Sequence, residues 1–271
     1  MQHVDGGVAV RARTLGSGFV LTAQRRALIL DALRRDGQLV AKELATELDL
    51  SDDTIRRDLR ELAAEGKLQR VHGGALPASP AIADFSVRRQ VATEGKVAVG
   101  KAAAALVRSG QTVIVDGGTT AQQLARHLPH DIDATVITHS PTIACELVSH
   151  PSIEVLVIGG RLFKHSIVTC GSIAIESILQ VSADAFFMGV TGVHPTAGLT
   201  TGDAEEAAVK RALSRRSAET YVLATSEKIG AASPFTVIPM QEATAIIVEA
   251  STPDTQVRAL RRQGVELIHA R

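Results

Sequence analysis

The segment Asp116-Gly-Gly-Thr-Thr120 has the residue types of an oxyanion receptor. Gly117 and Gly118 let the backbone approach an anion closely. Thr119 and Thr120 add hydroxyl donors, and a helix starting there would aim its free amides at the same point. A β-branched run, 112–115, precedes the segment, so the cradle should lie at a strand's carboxyl end. It is not a Walker loop, because Gly-Lys-Ser/Thr is missing, nor a dinucleotide fingerprint, because the G-x-G-x-x-G spacing is missing. Lys210 and Lys228 could neutralise a phosphate at such a cradle, and Asp203 and Glu206 could bind sugar hydroxyls. The plainer alternatives are helix capping for Asp203 and Glu206, and a solvated helix face for Lys210.

A second chemistry is written in Ser51-Asp-Asp-Thr-Ile-Arg-Arg-Asp-Leu-Arg-Glu-Leu62. Ser51 is a helix N-cap, and Asp52 and Asp53 suit the positive end of the helix dipole. Ile55, Leu59 and Leu62 recur at i, i+4 and i+7, forming one apolar stripe. Arg56, Arg57 and Arg60 point away from it. A helix with a buried back and an arginine front fits the DNA major groove, where guanidinium grips phosphate or guanine. An ordinary basic surface helix is the alternative.

Elements must position both groups. Gln24 to Leu33 reads as a helix with Leu28, Ile29 and Leu33 inward, stopped at Asp36-Gly37. Val40 to Leu48 reads as a second helix, with Leu44 and Leu48 inward. Asp49-Leu-Ser51 turns into the arginine helix, which Gly66 closes. Lys67 to Ala75 alternates as a two-stranded wing, Leu68 and Val71 inward, with Arg70 and His72 near the DNA backbone. His72 could equally be a turn residue. The pattern is a winged helix-turn-helix.

Beyond Pro77-Ala-Ser-Pro80, short apolar strands alternate with helices. Strands are expected at 112–115, 134–138, 153–158, 185–190, 219–224, 245–248 and 265–268, and an alanine-rich helix at 95–107. This alternation implies a Rossmann-like parallel sheet covered on both faces, with ligands at the strand carboxyl ends. The expected organisation is a disordered tail at 1–20, a winged helix-turn-helix domain at 21–76, a linker at 77–83, and an effector-binding and oligomerisation domain at 84–271.

Composition narrows the function. The formal net charge of +0 excludes a general polyanion binder, so basic residues must act locally. The chain lacks tryptophan, which argues against stacking on single-stranded bases. Cys145 and Cys170 lack metal-ligand spacing and read as buried thiols of a reducing, cytoplasmic compartment. No apolar run reaches the roughly 20 residues of a membrane span.

Residues 25–75 resemble the winged helix-turn-helix of the DeoR family of bacterial transcriptional regulators. The resemblance rests on Arg25, Ile29 and Leu33, then Ser51-x-x-Thr54-Ile55-Arg56-Arg57-Asp58-Leu59, then Gly66-x-Leu68-x-Arg70-Val71-His72-Gly73-Gly74-Ala75. It implies that Thr54, Arg56 and Arg57 contact double-stranded operator DNA. Residues 84 to about 250 are similar to the family's effector domain, whose fold is like that of ribose-5-phosphate isomerase. The matching stretches include Asp84-Phe85 with Arg88, Glu94-x-Lys96, Asp116 to Thr120, Gly159-Gly160, Gly198-Leu-Thr200, Glu206-x-x-x-Lys210 and Ser226-x-Lys228. The resemblance implies that Asp116 to Thr120 hold the phosphate of a sugar or polyol effector. His139, Ser140, Gly159, Glu206, Lys210 and Lys228 would surround the rest. His139 departs from the asparagine that many members carry. No cofactor or metal is implied; a dimer or tetramer is.

The competing reading is a sugar-phosphate isomerase with an appended DNA-binding domain. Glu206 could act as base and Lys210 or Lys228 as electrophile. The isomerases carry paired aspartates after the strand corresponding to 185–190, where this chain reads Gly189-Val-Thr-Gly192, without a carboxylate. That difference favours a sensor over an enzyme.

Overall fold

Ser51 begins its helix as its residue type dictates: its Oγ accepts the Thr54 backbone N–H at 3.2 Å. The computed structural model describes residues 21–79 and 84–271; the tail expected at 1–20 lies outside them. The N-terminal unit runs α1 (Thr22–Asp36), β1 (Leu39–Val40), α2 (Ala41–Glu47), α3 (Asp52–Ala64), β2 (Leu68–Val71) and β3 (Gly74–Pro77). Ile29, Leu33, Leu44, Ile55, Leu59 and Leu62 pack into one small core. Each such side chain contributes about 2 kcal/mol on leaving water. Asp58 is buried against α1, where Arg25 and Arg26 pair with it. This ion pair fixes α1 across α3.

Three local expectations are corrected here. Leu28 is exposed, because Ile29 and Leu33 carry the buried face of α1. Val71 is also exposed. It lies three residues from Leu68, and strand periodicity of two sends such a pair to opposite faces. The wing has three strands, in the order β1-β3-β2, and Val40 belongs to the first of them rather than to the second helix. A Cβ at Gly74 would collide with the Leu39 carbonyl, so only glycine permits this close pairing of β1 with β3.

The expected linker starts as ordered structure. Pro77 ends β3, Ala78 bridges to Ala232, and the Ser79 hydroxyl donates to the Thr191 carbonyl. Thereafter come α4 (Phe85–Arg88), α5 (Thr93–Ala104), β4 (Thr112–Val115), α6 (Thr119–Arg126), β5 (Ala134–Thr138), α7 (Pro141–Leu147) and β6 (Ile153–Val157). A hairpin of β7 (Arg161–Phe163) and β8 (Val168–Cys170) leads to α8 (Ser172–Ile178) and β9 (Ala183–Gly189). Next are β10 (Gly192–His194), β11 (Gly198–Thr201), α9 (Ala204–Arg215), β12 (Ser217–Ala224) and β13 (Phe235–Ile238). The chain finishes with β14 (Ala245–Glu249), α10 (Asp254–Arg261) and β15 (Glu266–Ala270).

Seven parallel strands form the main sheet, in the order β15-β14-β12-β9-β4-β5-β6. Side chains alternate across it, as the pleat requires. Phe186 and Met188 enter the core beneath α8, α9 and α10. Val113, Val115 and Phe187 enter the opposite core with α5, α6 and α7. β10, β11 and β13 make a separate antiparallel sheet. Cys170 is buried, but Cys145 is exposed, correcting the expectation for the pair. Ile143 and Leu147 take the inward face of α7, and Cys145 falls between them on the other side. No helix among the described residues is long and apolar enough to cross a membrane.

Candidate functional site

The strand order places the carboxyl ends of β4, β9 and β12 side by side, and a cavity of about 30 Å³ lies there. Gly117, Gly118, Thr119 and Thr120 form one wall, followed by Gly189 at the end of β9, Val190 and Thr191 just beyond it, and Glu227 and Lys228 after β12. Glu206 and Lys210 enter from α9, and Arg88 and Lys96 from α4 and α5. Gly118 supplies the N-cap of α6 at φ 112, without a capping side chain. The amides of Thr119, Thr120 and Ala121 have no partner among the described residues. They are the free donors that every helix N-terminus leaves, and here they face a cavity.

Among the described residues, four cations line this space against two carboxylates. Lys228 Nζ is 3.4 Å from Thr120 Oγ1 and 3.3 Å from the Leu223 carbonyl. No carboxylate among the described residues forms an ion pair with it. Burial lowers its pKa to about 8, against the attraction of Glu227 and with the repulsion of Lys96, Arg88 and Lys210. Lys96 donates to the carbonyls of Arg88 and Val91, and burial lowers its pKa as well. Arg88 Nη2 reaches the His165 carbonyl at 3.3 Å and Ser166 Oγ at 3.4 Å, while its buried Nε has no partner among the described residues. Glu227 Oε1 accepts from Thr225 Oγ1 at 2.6 Å, and its Oε2 is buried without a partner among the described residues. The cavity therefore offers an unused donor and an unused acceptor beside a cationic wall. Those are the complementary needs of a phosphate joined to hydroxyls.

Asp116 is fully buried and serves beneath the cradle. Oδ1 accepts from the Gly117 amide at 2.7 Å and meets His139 Nε2 at 2.7 Å; Oδ2 accepts from the Gly189 amide at 2.7 Å and from Lys210. Burial alone would raise its pKa, but the Lys210 charge and the His139 contact drive it well below the usual carboxylate range. Burial likewise disfavours the charge on Lys210, yet Asp116 and Glu206 outweigh it and raise its pKa. His139 Nδ1 lies 3.0 Å from the Thr169 carbonyl, and Ser140 Oγ donates to the Ile167 carbonyl at 3.1 Å. These contacts make Asp116, His139 and Ser140 braces that lie outside the cavity lining. Gly159 is exposed and does not line it either. Asp203 caps α9, accepting the Glu206 amide at 2.9 Å, and Glu206 Oε2 accepts from Thr201 Oγ1 at 2.7 Å.

The structure thus brings together Gly117, Gly118, Thr119, Thr120, Glu206, Lys210 and Lys228. Sequence reasoning did not assign Arg88, Lys96, Ser166, Thr201 and Glu227 to the cavity. Arg88 and Lys96 stood within the quoted family stretches, and Glu227 sits between Ser226 and Lys228. No metal-holding group of His, Cys, Asp or Glu occurs among the described residues.

On the N-terminal unit, Arg56, Arg70 and His72 line one concavity of about 200 Å³ between α3 and the wing tip. Arg56 pairs with Asp52 at 2.8 Å, one helical turn away. Arg57 and Arg60 are exposed farther along α3, outside that concavity. Ser51 Oγ and Thr54 Oγ1 lie 2.8 Å apart at its start.

Comparison with known proteins agrees with both halves. Residues 25–80 match the DeoR-like helix-turn-helix domain, and residues 91–250 match the DeoR C terminal sensor domain. The chain is 32% identical over 247 residues to the HTH-type transcriptional repressor GlcR of Bacillus subtilis, covering 90% of this chain and 95% of the relative. It is 31% identical over 254 residues to a putative aga operon transcriptional repressor of Escherichia coli O157:H7, covering 91% and 93%. Among solved structures, ribose 5-phosphate isomerase A of Methanocaldococcus jannaschii is similar at 18% identity and a TM-score of 0.35, over 47% of this chain and 50% of that one.

Proposed function

Because the chain belongs to the DeoR family of transcriptional regulators, we propose that it is a cytoplasmic DNA-binding repressor of a sugar or polyol catabolic operon. A phosphorylated sugar or polyol sets its operator affinity. The observation that carries the effector reading is Lys228, a buried cation without an ion-pair partner among the described residues, beside the open amides of α6. The α6 amides, Thr119, Thr120 and Lys228 hold the phosphate, and Glu206 and Glu227 accept the hydroxyls. On the DNA side, Ser51 caps the recognition helix α3. Thr54, Arg56, Arg57 and Arg60 face the groove, and Arg70 and His72 meet the backbone. One short helix buries too little for specific affinity, so the active form is a dimer or tetramer reading repeated half-sites.

Binding without turnover is favoured over isomerisation. Lys210, one of the two candidate electrophiles, is engaged by Asp116 and Glu206, and the end of β9 with the turn after it brings Gly189, Val190 and Thr191 to the cavity rather than a carboxylate. The test is the melting temperature across a panel of sugar and polyol phosphates, each paired with its unphosphorylated parent. One phosphate at a hundredfold excess over its Kd should add about 2.7 kcal/mol while its parent adds nothing. A panel without effect would overturn the effector reading and leave the DNA-binding half standing.

A further inference from the structure

One wall of the cavity is made where α4 meets the turn between β7 and β8, residues 164–167. The His165 carbonyl gathers two donors from α4: the Phe85 amide at 3.2 Å and Arg88 Nη2 at 3.3 Å. Asp84 Oδ1 lies 3.6 Å from His165 Nε2. The Arg88 guanidinium also stands 5.8 Å over the Phe85 ring.

The turn is strained. Ile167 has a φ of 53°, a left-handed conformation that a β-branched residue rarely adopts. Its carbonyl accepts from Ser140 Oγ, and Ser166 beside it is buried. Strain of this kind persists only where surrounding contacts impose it.

Arg88 stands between that turn and the anion cradle. Its Nη1 lies 3.9 Å from where a Cβ on Gly118, the N-cap of α6, would be. Its Nη2 has two neutral acceptors, at 3.3 and 3.4 Å, slightly beyond the usual range, and its Nε has none among the described residues. A phosphate would give the same guanidinium a paired, charge-assisted contact, which is the stronger kind.

We propose that Arg88 is the catch of a latch over the effector site. The effector's phosphate, held on the α6 amides, takes the guanidinium from the His165 carbonyl and from Ser166. α4 then lets go of the turn, and the turn relaxes at Ile167. The proposal rests on the phosphorylated-effector reading, and it gives the phosphate a handle that the unphosphorylated parent lacks. Among the residues that line the cavity, Arg88 is nearest in sequence to β3. The freed α4 is therefore the part of the site closest along the chain to the DNA-binding unit.

Hydrogen exchange of the full chain, read by mass spectrometry, tests the latch. Inorganic phosphate is the probe, and potassium chloride of equal ionic strength is the blank. In wild type, phosphate should slow exchange of the amides at 119–121. It should speed exchange in the turn and at Phe85, the latter about fivefold, as expected for losing one hydrogen bond. In Arg88→Gln, α4 and the turn should exchange at the faster rate with or without phosphate, while β9 and β12 keep wild-type rates. Phosphate that protects 119–121 but leaves α4 and the turn unchanged, or slows them, would overturn the latch and leave the effector reading standing. An Arg88→Gln variant whose α4 and turn exchange as slowly as in free wild type would overturn it as well. Phosphate that alters none of the three segments would overturn both.

Discussion

At the scale of single residues, Lys228 makes the site depend on pH in a signed way. In the folded free protein it loses its proton near pH 8, and in the unfolded chain near about 10.4. Between these values the unfolded chain holds more protons, so this residue makes stability rise with pH. Effector binding should run the other way, because a dianion needs the charged amine. Affinity for the stabilising phosphate is expected to be highest between about pH 6, where a phosphate monoester becomes dianionic, and pH 8, and to fall above that. In Lys228→Gln the alkaline fall should vanish along with most of the affinity. Calorimetry across pH decides this, and an alkaline fall that persists in the variant would assign the titration elsewhere. The lysine was legible in the sequence as a charge after a strand, but its isolation was not. Ion pairing depends on which carboxylates the fold brings near, and Asp116, the obvious partner for a lysine, is taken by Lys210 from 94 positions away.

At the scale of elements, the recognition helix separates DNA contact from folding. Ile55, Leu59 and Leu62 hold α3 in the core, whereas Arg57 is exposed and makes no ion pair among the described residues. Arg57→Ala should therefore reduce operator affinity roughly 5- to 150-fold, as expected for losing a base or phosphate contact of about 1–3 kcal/mol. Its melting temperature and effector shift should stay at wild-type values. Fluorescence anisotropy with operator DNA reads the first and a thermal scan the second; unchanged affinity would place the recognition face elsewhere. Elements of this kind were readable because caps and apolar periodicity are local. The strand at Ala134–Thr138 emerges with the expected bounds, and the helix after Ser51 begins where its cap requires. The β7–β8 hairpin and the β10-β11-β13 sheet were missed. Each of their strands spans three or four residues, too few for a periodicity, and β13 pairs with β11 across a whole intervening helix and strand.

At the scale of the whole molecule, Thr191 belongs to two structures at once. It lines the cavity, and its carbonyl accepts the hydroxyl of Ser79, two residues beyond the last strand of the N-terminal unit. An effector that shifts the turn after β9 therefore acts on the segment leaving the DNA-binding unit. For this to regulate, the effector must bind the two placements of that unit unequally. Ser79→Ala should keep both operator binding and the effector's thermal shift, but weaken the change in operator affinity that effector causes in wild type. An operator titration with and without the stabilising phosphate measures this coupling, and a wild-type response in the variant would route it through other contacts. Coupling of this sort was invisible in the string, where 77–83 read as a spacer between domains.

The small size of the cavity carries a consequence in time. About 30 Å³ has room for roughly two waters, whereas sites for small organic ligands span about 300–1,000 Å³. A sugar phosphate needs more room than that, so the proposed effector is expected to displace side chains of the wall such as Arg88, Lys96 and Lys228 as it enters. Displacements of that kind run from microseconds to seconds in proteins generally. The expected consequence is a response whose pace, beyond a modest concentration of the proposed effector, is set by the protein, so that more effector makes it more complete but no sooner.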